Sequence, residues 1–324
     1  MSATAPPEPS AARMLGALAL GAFAISLAAI FFRLAAPVDP LLASALRLAL
    51  AALALAWPAW RARRAGRLGA DVLRAGAWCG LAYAVHFGAW VASLGMTSVA
   101  SSVTLVTATP LMLAMVALVT GTDLPGARVG AALVIAGAGI VLIGAADASG
   151  GPDGSLLGDA LALVGAAAMG VYLLVARRLG SALDALAFSA IAAGVGALLL
   201  AASCLARVAL GGSIALPGAE ALGWIALSAL IPQLVGHTLL TWALRRATPV
   251  SVGLATMAEP VFSTLLAWAW LGEIPAGLVL AGCALTLAGI GVGVTRPAPL
   301  RNSNEERSRP ELQAEARGRE QGGT

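Results

Sequence analysis

The chain has 324 residues, of which 59% are hydrophobic and 11% charged, with a mean hydropathy of +0.88. Soluble domains carry about 25% charged residues, and a soluble protein of this length has no interior large enough for so much apolar surface, so the composition predicts an integral membrane protein. The formal charge of +4 and pI near 9.6 do not point to nucleic acid: all 20 basic residues are arginines spread along the chain, where they pair with anionic headgroups of the lipid bilayer.

Residues 1–12, rich in alanine and proline, bury too little to fold and are expected to be a disordered N-terminus. Ten apolar segments follow, at 15–32, 41–60, 76–94, 99–120, 128–145, 156–176, 185–205, 221–240, 250–270 and 275–294. Each is near the ~20 residues a helix needs to cross ~30 Å of hydrocarbon. Alanine and leucine dominate and nothing alternates with period two, so helices are expected rather than a β-barrel. The first segment follows Arg13 as a signal peptide would. It runs on into Phe31-Phe32-Arg33 with no Ala-x-Ala cleavage site, and is expected to span. Residues 296–324 mix arginine with Glu305, Glu306, Glu311, Glu315 and Glu320 and are expected to be a disordered cytoplasmic tail. Cys79, Cys204 and Cys283 each stand alone in an apolar segment and read as small buried hydrophobes.

Arginine also sets the orientation. Arg61, Arg63, Arg64, Arg67 and Arg74 lie in the joint after segment two, Arg128 after four, Arg177 and Arg178 after six, and Arg245 and Arg246 after eight. The alternate joints hold Arg33 and Arg207 among acids. By the positive-inside rule both termini are expected in the cytoplasm, in a cell (inner) membrane.

An internal repeat is visible. Residues 94–145 align with 244–295 at an offset of 150 without a gap, placing Thr109-Pro110 on Glu259-Pro260 and Thr122-Asp123-Leu124-Pro125 on Gly272-Glu273-Ile274-Pro275. Upstream, 22–33 resembles 166–177. Five helices, an odd number, set the second copy upside down. The expectation is an all-α membrane protein of ten helices in two inverted five-helix repeats, 13–146 and 156–295, joined by a linker at 147–155. Inverted repeats are a transporter architecture with its site near the midplane, and Pro110 and Pro260 fall where hinges are needed.

The Glu259-Pro260 step and the Leu271-Gly272-Glu273 turn opening the last hairpin resemble the EamA-like family of the drug/metabolite transporter superfamily. The resemblance covers roughly 15–294. The first half departs from the pattern, with Gly121-Thr122-Asp123 at the turn and Thr109 in place of the acid. The resemblance implies secondary transport of a small-molecule substrate, usually export of amino acids or related metabolites. An importer or a lipid-linked sugar flippase of the same superfamily fits the resemblance as well.

Glu259 is the tenth residue of its segment, near mid-depth, where an ionised acid costs a few kcal/mol. Pro260 leaves the carbonyl of Thr256 without its helical donor. Two readings stand: an ion or amine site, with protons as the coupling ion, or a protonated cap on a broken turn. Gln233, His237 and Thr241 follow at i, i+4 and i+8 along one face, with Pro232 loosening the turn at Ser228. Tyr83, His86 and Trp90 share a similar face in segment three. His86 reads as an interhelical hydrogen bonder and Trp90 as either a cavity wall or a packing residue. Arg47 lies about 9 Å inside segment two by helix rise. It either snorkels to the edge or serves as counter-charge to Glu259 or to a substrate carboxylate.

No His-Glu-x-x-His, Gly-x-Ser-x-Gly or phosphate-cradling glycine-lysine loop occurs, so no enzyme, metal or cofactor is expected. A non-transporting scaffold or receptor is the rival from another class, but it has no use for an acid at the depth of Glu259.

Overall fold

The computed structural model describes residues 11–96, 99–122, 124–148, 156–179, 184–245, 247–272 and 274–294. Asp123, Glu273, Arg246, most of the expected linker, residues 1–10 and the expected tail lie outside the described residues, while Ala11 and Ala12, expected to be disordered, open the first helix. All regular structure among the described residues is helical: α1 (Ala11–Ala35), α2 (Pro40–Ala54), α3 (Ala56–Arg64), α4 (Ala70–Ser93), α5 (Val99–Val106), α6 (Thr109–Thr120), α7 (Ala127–Ala148), α8 (Leu156–Arg178), α9 (Ala185–Ala209), α10 (Ala219–Ser228), a π-wound stretch (Ala229–His237), α11 (Thr238–Ala243), α12 (Pro249–Thr256), α13 (Glu259–Leu271) and α14 (Gly277–Val294). Among the described residues seven stretches are long and apolar enough to cross a membrane, eight with the bent α2–α3 pair, and Gly277–Gly293 is a shorter apolar helix. The chain is a multi-pass helical membrane protein.

Prolines set where the spans break. A proline ring has no N–H and collides with the carbonyl four residues earlier. Regular winding stops at that residue each time: α2 ends at Ala54 ahead of Pro58, α5 at Val106 ahead of Pro110, α10 at Ser228 ahead of Pro232, and α12 at Thr256 ahead of Pro260. The sequence draws each of these as one span; three of them are two helices each, and the span at Pro232 is α10, the π-wound stretch and α11 in turn. α2 and α3 meet at 49°. Pro110 and Pro260 fall in the first turn of α6 and α13, where a missing N–H is tolerated. Each opens a second half-helix rather than bending a continuous one. The regular i, i+4, i+8 face expected through Pro232 is replaced by π winding over Ala229–His237.

The two halves meet through reciprocal contacts. α2 lies antiparallel against α9. Arg207 near the end of α9 pairs with Asp39 at the start of α2 (2.7 Å), and Arg67 just past α3 pairs with Asp184 at the start of α9 (2.6 Å). Each aspartate also caps its helix, Asp39 accepting from the N–H of Leu41 and Leu42 and Asp184 from that of Ala187. Part-exposed pairs of this kind contribute little energy, roughly 0–1 kcal/mol, so they report register more than strength. α7 and α14 form a second antiparallel seam. A β-carbon at Gly139 would fall on Thr286 and one at Gly289 on the backbone of Ala136. With no hydrophobic force between helices in lipid, such close backbone approach supplies the attraction.

The gapless offset needs one correction. The left-handed turn residues are Gly121 (φ 67°) and Gly272 (φ 72°), one residue out of step with an offset of 150. α13 has 13 residues against 12 in α6. Leu271 stands at the offset position, and a branched side chain does not adopt that φ cheaply, so the helix runs on to the next glycine.

Candidate binding cavity

Where the two broken spans cross, a cavity opens between the halves. Both halves line it at corresponding positions. Val106 and Thr109 flank the first break, and Thr256 and Glu259, each 150 residues on, flank the second. Ile25 and Ala28 of α1 face Met169 and Tyr172 of α8, the matching positions of the 22–33 and 166–177 stretches.

The two breaks are finished differently. The Thr109 hydroxyl donates to the carbonyls of Val106 (3.1 Å) and Ala166 (3.0 Å), closing the first against α8. Glu259 is the first residue of α13 and 9% exposed, and its carboxyl enters no hydrogen bond or ion pair with the described residues. It does not cap the broken turn. The turn instead closes on its own backbone, Met257 N–H donating to Leu254 and Ala258 N–H to Ala255. That leaves a carboxyl at a half-helix N-terminus, facing the cavity.

Arg47 does not snorkel. Its side chain is wholly buried, with the guanidinium 4.4 Å from the centre of the Phe87 ring and 5.5 Å from that of Phe32. Nη2 donates to Gln233 Oε1 at 3.2 Å, while Nε and Nη1 have no partner. Arg47 is also the charged group that acts on Glu259 across the cavity, without a direct ion pair. Two aromatic rings and an amide hold the cation inward, so the reach of its stem toward the membrane edge goes unused.

Six of the expected site residues line the cavity: Arg47, His86, Trp90, His237, Thr241 and Glu259. Gln233 and Tyr83 stand behind them. Gln233 holds Arg47, and Tyr83 stacks on Tyr172 at 4.3 Å and presents its edge to His237 at 5.8 Å. His86 Nδ1 donates to the Gly165 carbonyl at 2.8 Å, as an interhelical bonder should, which leaves Nε2 of the neutral ring as an acceptor. Its ring lies near parallel to Trp90 at 6.1 Å. His237 enters no hydrogen bond among the described residues and is enclosed by the rings of Phe87 (5.5 Å) and His86 (6.4 Å). Pro110 and Pro260 do not line the cavity; they set the breaks that open it.

Sequence reasoning missed Tyr172, whose hydroxyl shares a 2.7 Å hydrogen bond with Thr241. A signal existed: the chain has two tyrosines, both mid-span, and they are the stacked pair. Phe87 and Met169 gave no signal, since apolar side chains in an apolar helix look alike. No group of three His, Cys, Asp or Glu able to hold a metal occurs among the described residues.

One solved structure, described only as the crystal structure of a protein, matches 88% of this chain and 98% of its own length with TM-score 0.66 and 21% identity, a likeness of fold. No curated protein matches. Residues 156–295 match the model of the EamA-like transporter family. That stretch supplies Tyr172, His237, Thr241 and Glu259 to the cavity, and it places the second half of this membrane protein in the EamA-like transporter family.

Proposed function

We propose that the protein is a secondary active exporter of amino acids or related small metabolites, driven by protons through Glu259. In this reading ten spans form two inverted five-helix repeats, both termini are cytoplasmic, and the breaks at Pro110 and Pro260 serve as hinges. The observation that carries it is the free carboxyl of Glu259 at a half-helix end, inside a cavity shared by both halves and under the charge of Arg47. An intramembrane acid without a structural partner marks an ion or substrate path, and discontinuous helices are where transporters bind cargo. The reciprocal α2–α9 and α7–α14 contacts support the inverted arrangement, because equivalent helices that meet antiparallel are related by a two-fold axis. The enclosed rings supply an apolar wall.

Proton and substrate ammonium compete for one carboxyl, and that competition is sufficient for antiport. Glu259→Gln keeps the shape and hydrogen bonding of the protonated acid but has no proton to release. Reconstituted in liposomes, the variant is expected to insert and to exchange substrate while losing its acceleration by an inward proton gradient. Equal gradient-driven rates for wild type and Glu259→Gln would remove Glu259 from the coupling mechanism.

A further inference from the structure

We propose that α3 is a docking surface for an anionic phospholipid of the phosphatidylglycerol type, seated against Arg61 and Arg64 with its chains along α2. The proposal is independent of the transport reading. Pro58 turns α3 away from α2 by 49°, so Ala56-Trp57-Pro58-Ala59-Trp60-Arg61-Ala62-Arg63-Arg64 departs from the line of its span. Its inner side is fixed: Ala62 is fully buried, and the helix packs on α9.

The outer side is uncovered. Trp57 and Trp60 are 62% and 53% exposed, and each carries an arginine on its face one turn later: Arg61 lies 4.7 Å from the Trp57 ring centre and Arg64 5.0 Å from that of Trp60. Stacking leaves the guanidinium N–H groups directed outward around the ring. The other two arginines of this joint have carboxylate partners, Arg67 in Asp184 and Arg74 in Asp71. Arg61, Arg63 and Arg64 have none among the described residues.

Charge and depth together name the occupant. Tryptophan rings seat at headgroup level, and the exposed Leu50 and Leu53 of α2 continue the apolar surface from Trp57 into the hydrocarbon. Two arginines fixed at the foot of an apolar stripe match a phosphodiester attached to acyl chains. A zwitterionic lipid offers the same phosphate but brings a cationic amine against the arginines. A soluble polyanion fits the arginines but leaves the indoles and leucines uncovered.

Bromine on lipid chains quenches nearby tryptophan fluorescence and supplies the test. Wild-type protein is reconstituted in neutral phosphatidylcholine vesicles containing equal mole fractions of either brominated phosphatidylglycerol or brominated phosphatidylcholine. The expected result is stronger quenching by the anionic lipid. The excess should vanish both in Arg61→Gln/Arg64→Gln and in Trp57→Phe/Trp60→Phe, whose circular dichroism and gel-filtration profiles report that they remain folded. Equal quenching by the two lipids, or an excess undiminished in Arg61→Gln/Arg64→Gln, overturns the proposal. So does binding of a soluble polyanion that depends on these arginines without any preference for phosphatidylglycerol, which would assign the surface to a soluble partner.

Discussion

Arg47 has given up its water for two phenyl rings, one amide and a distant carboxyl. A desolvated cation–π contact contributes ~2 kcal/mol and a hydrogen bond from a charged donor ~1.5–3 kcal/mol. Removing a guanidinium from water costs several kcal/mol, so the cation adds little net stability, and in the proposed function its charge is what matters. Arg47→Met keeps the unbranched stem and removes that charge. Its melting temperature in detergent is expected to equal or exceed that of the wild type, because an apolar residue of similar volume is neutral or better at a buried charged position. Gradient-driven transport should be lost. A melting temperature lowered by many degrees would make Arg47 a structural residue. The sequence left its direction open: a long stem seven residues inside a helix reaches either way, and only Phe32, Phe87 and Gln233, from three other elements, decide it.

At the level of elements, the broken spans α5–α6 and α12–α13 cross reciprocally, α12 on α6 and α13 on α5. Gly253 of α12 faces Pro110 so closely that a β-carbon would stand 2.9 Å from the proline's own. Bending at either break therefore moves a surface of the other half. Pro110→Ala and Pro260→Ala restore an N–H and allow each span to wind through. Both are expected to insert normally and to lower turnover several-fold in reconstituted transport, with little change in apparent substrate affinity. Wild-type turnover in both would show that the prolines shape the cavity without moving it. The positions of these breaks were legible in the sequence, since each follows from a proline and a count of four. The kind of break was not. Pro232 gives π winding where Pro58 gives a 49° corner, a difference that a proline and a count of four do not contain. The slipped turn at Gly272 was likewise hidden, because an offset that matches prolines says nothing about which residue can take a positive φ.

For the whole molecule, the ion pairs make a consistency check on orientation. Arg67–Asp184 joins the joint after segment two to the joint after six, and Asp39–Arg207 joins those after one and seven. Joints of the same parity meet, as alternate crossing of a bilayer requires. In the proposed orientation, which rests on the arginine bias, the Arg67–Asp184 side faces the cytoplasm. Cysteine labelling in intact cells reads this directly. Arg64→Cys is expected to stay unlabelled by an impermeant maleimide, and Ser213→Cys to label. The three native cysteines are buried and free, so they add little background. The reverse pattern would invert the molecule.

The seam between α7 and α14 has a consequence for how such a chain could arise. Gly139 meets Thr286, and Gly289, the position 150 residues on from Gly139, meets Ala136, the position 150 residues before Thr286. A surface that pairs with its own equivalent in this way is self-complementary. If the halves are inverted copies, a single half-length polypeptide entering the membrane in both orientations would close the same seam with a second molecule of itself. Gene duplication and fusion would then have joined a dimer already formed. After such a fusion the two copies would be free to diverge, as Thr109 and Glu259 differ at the equivalent breaks.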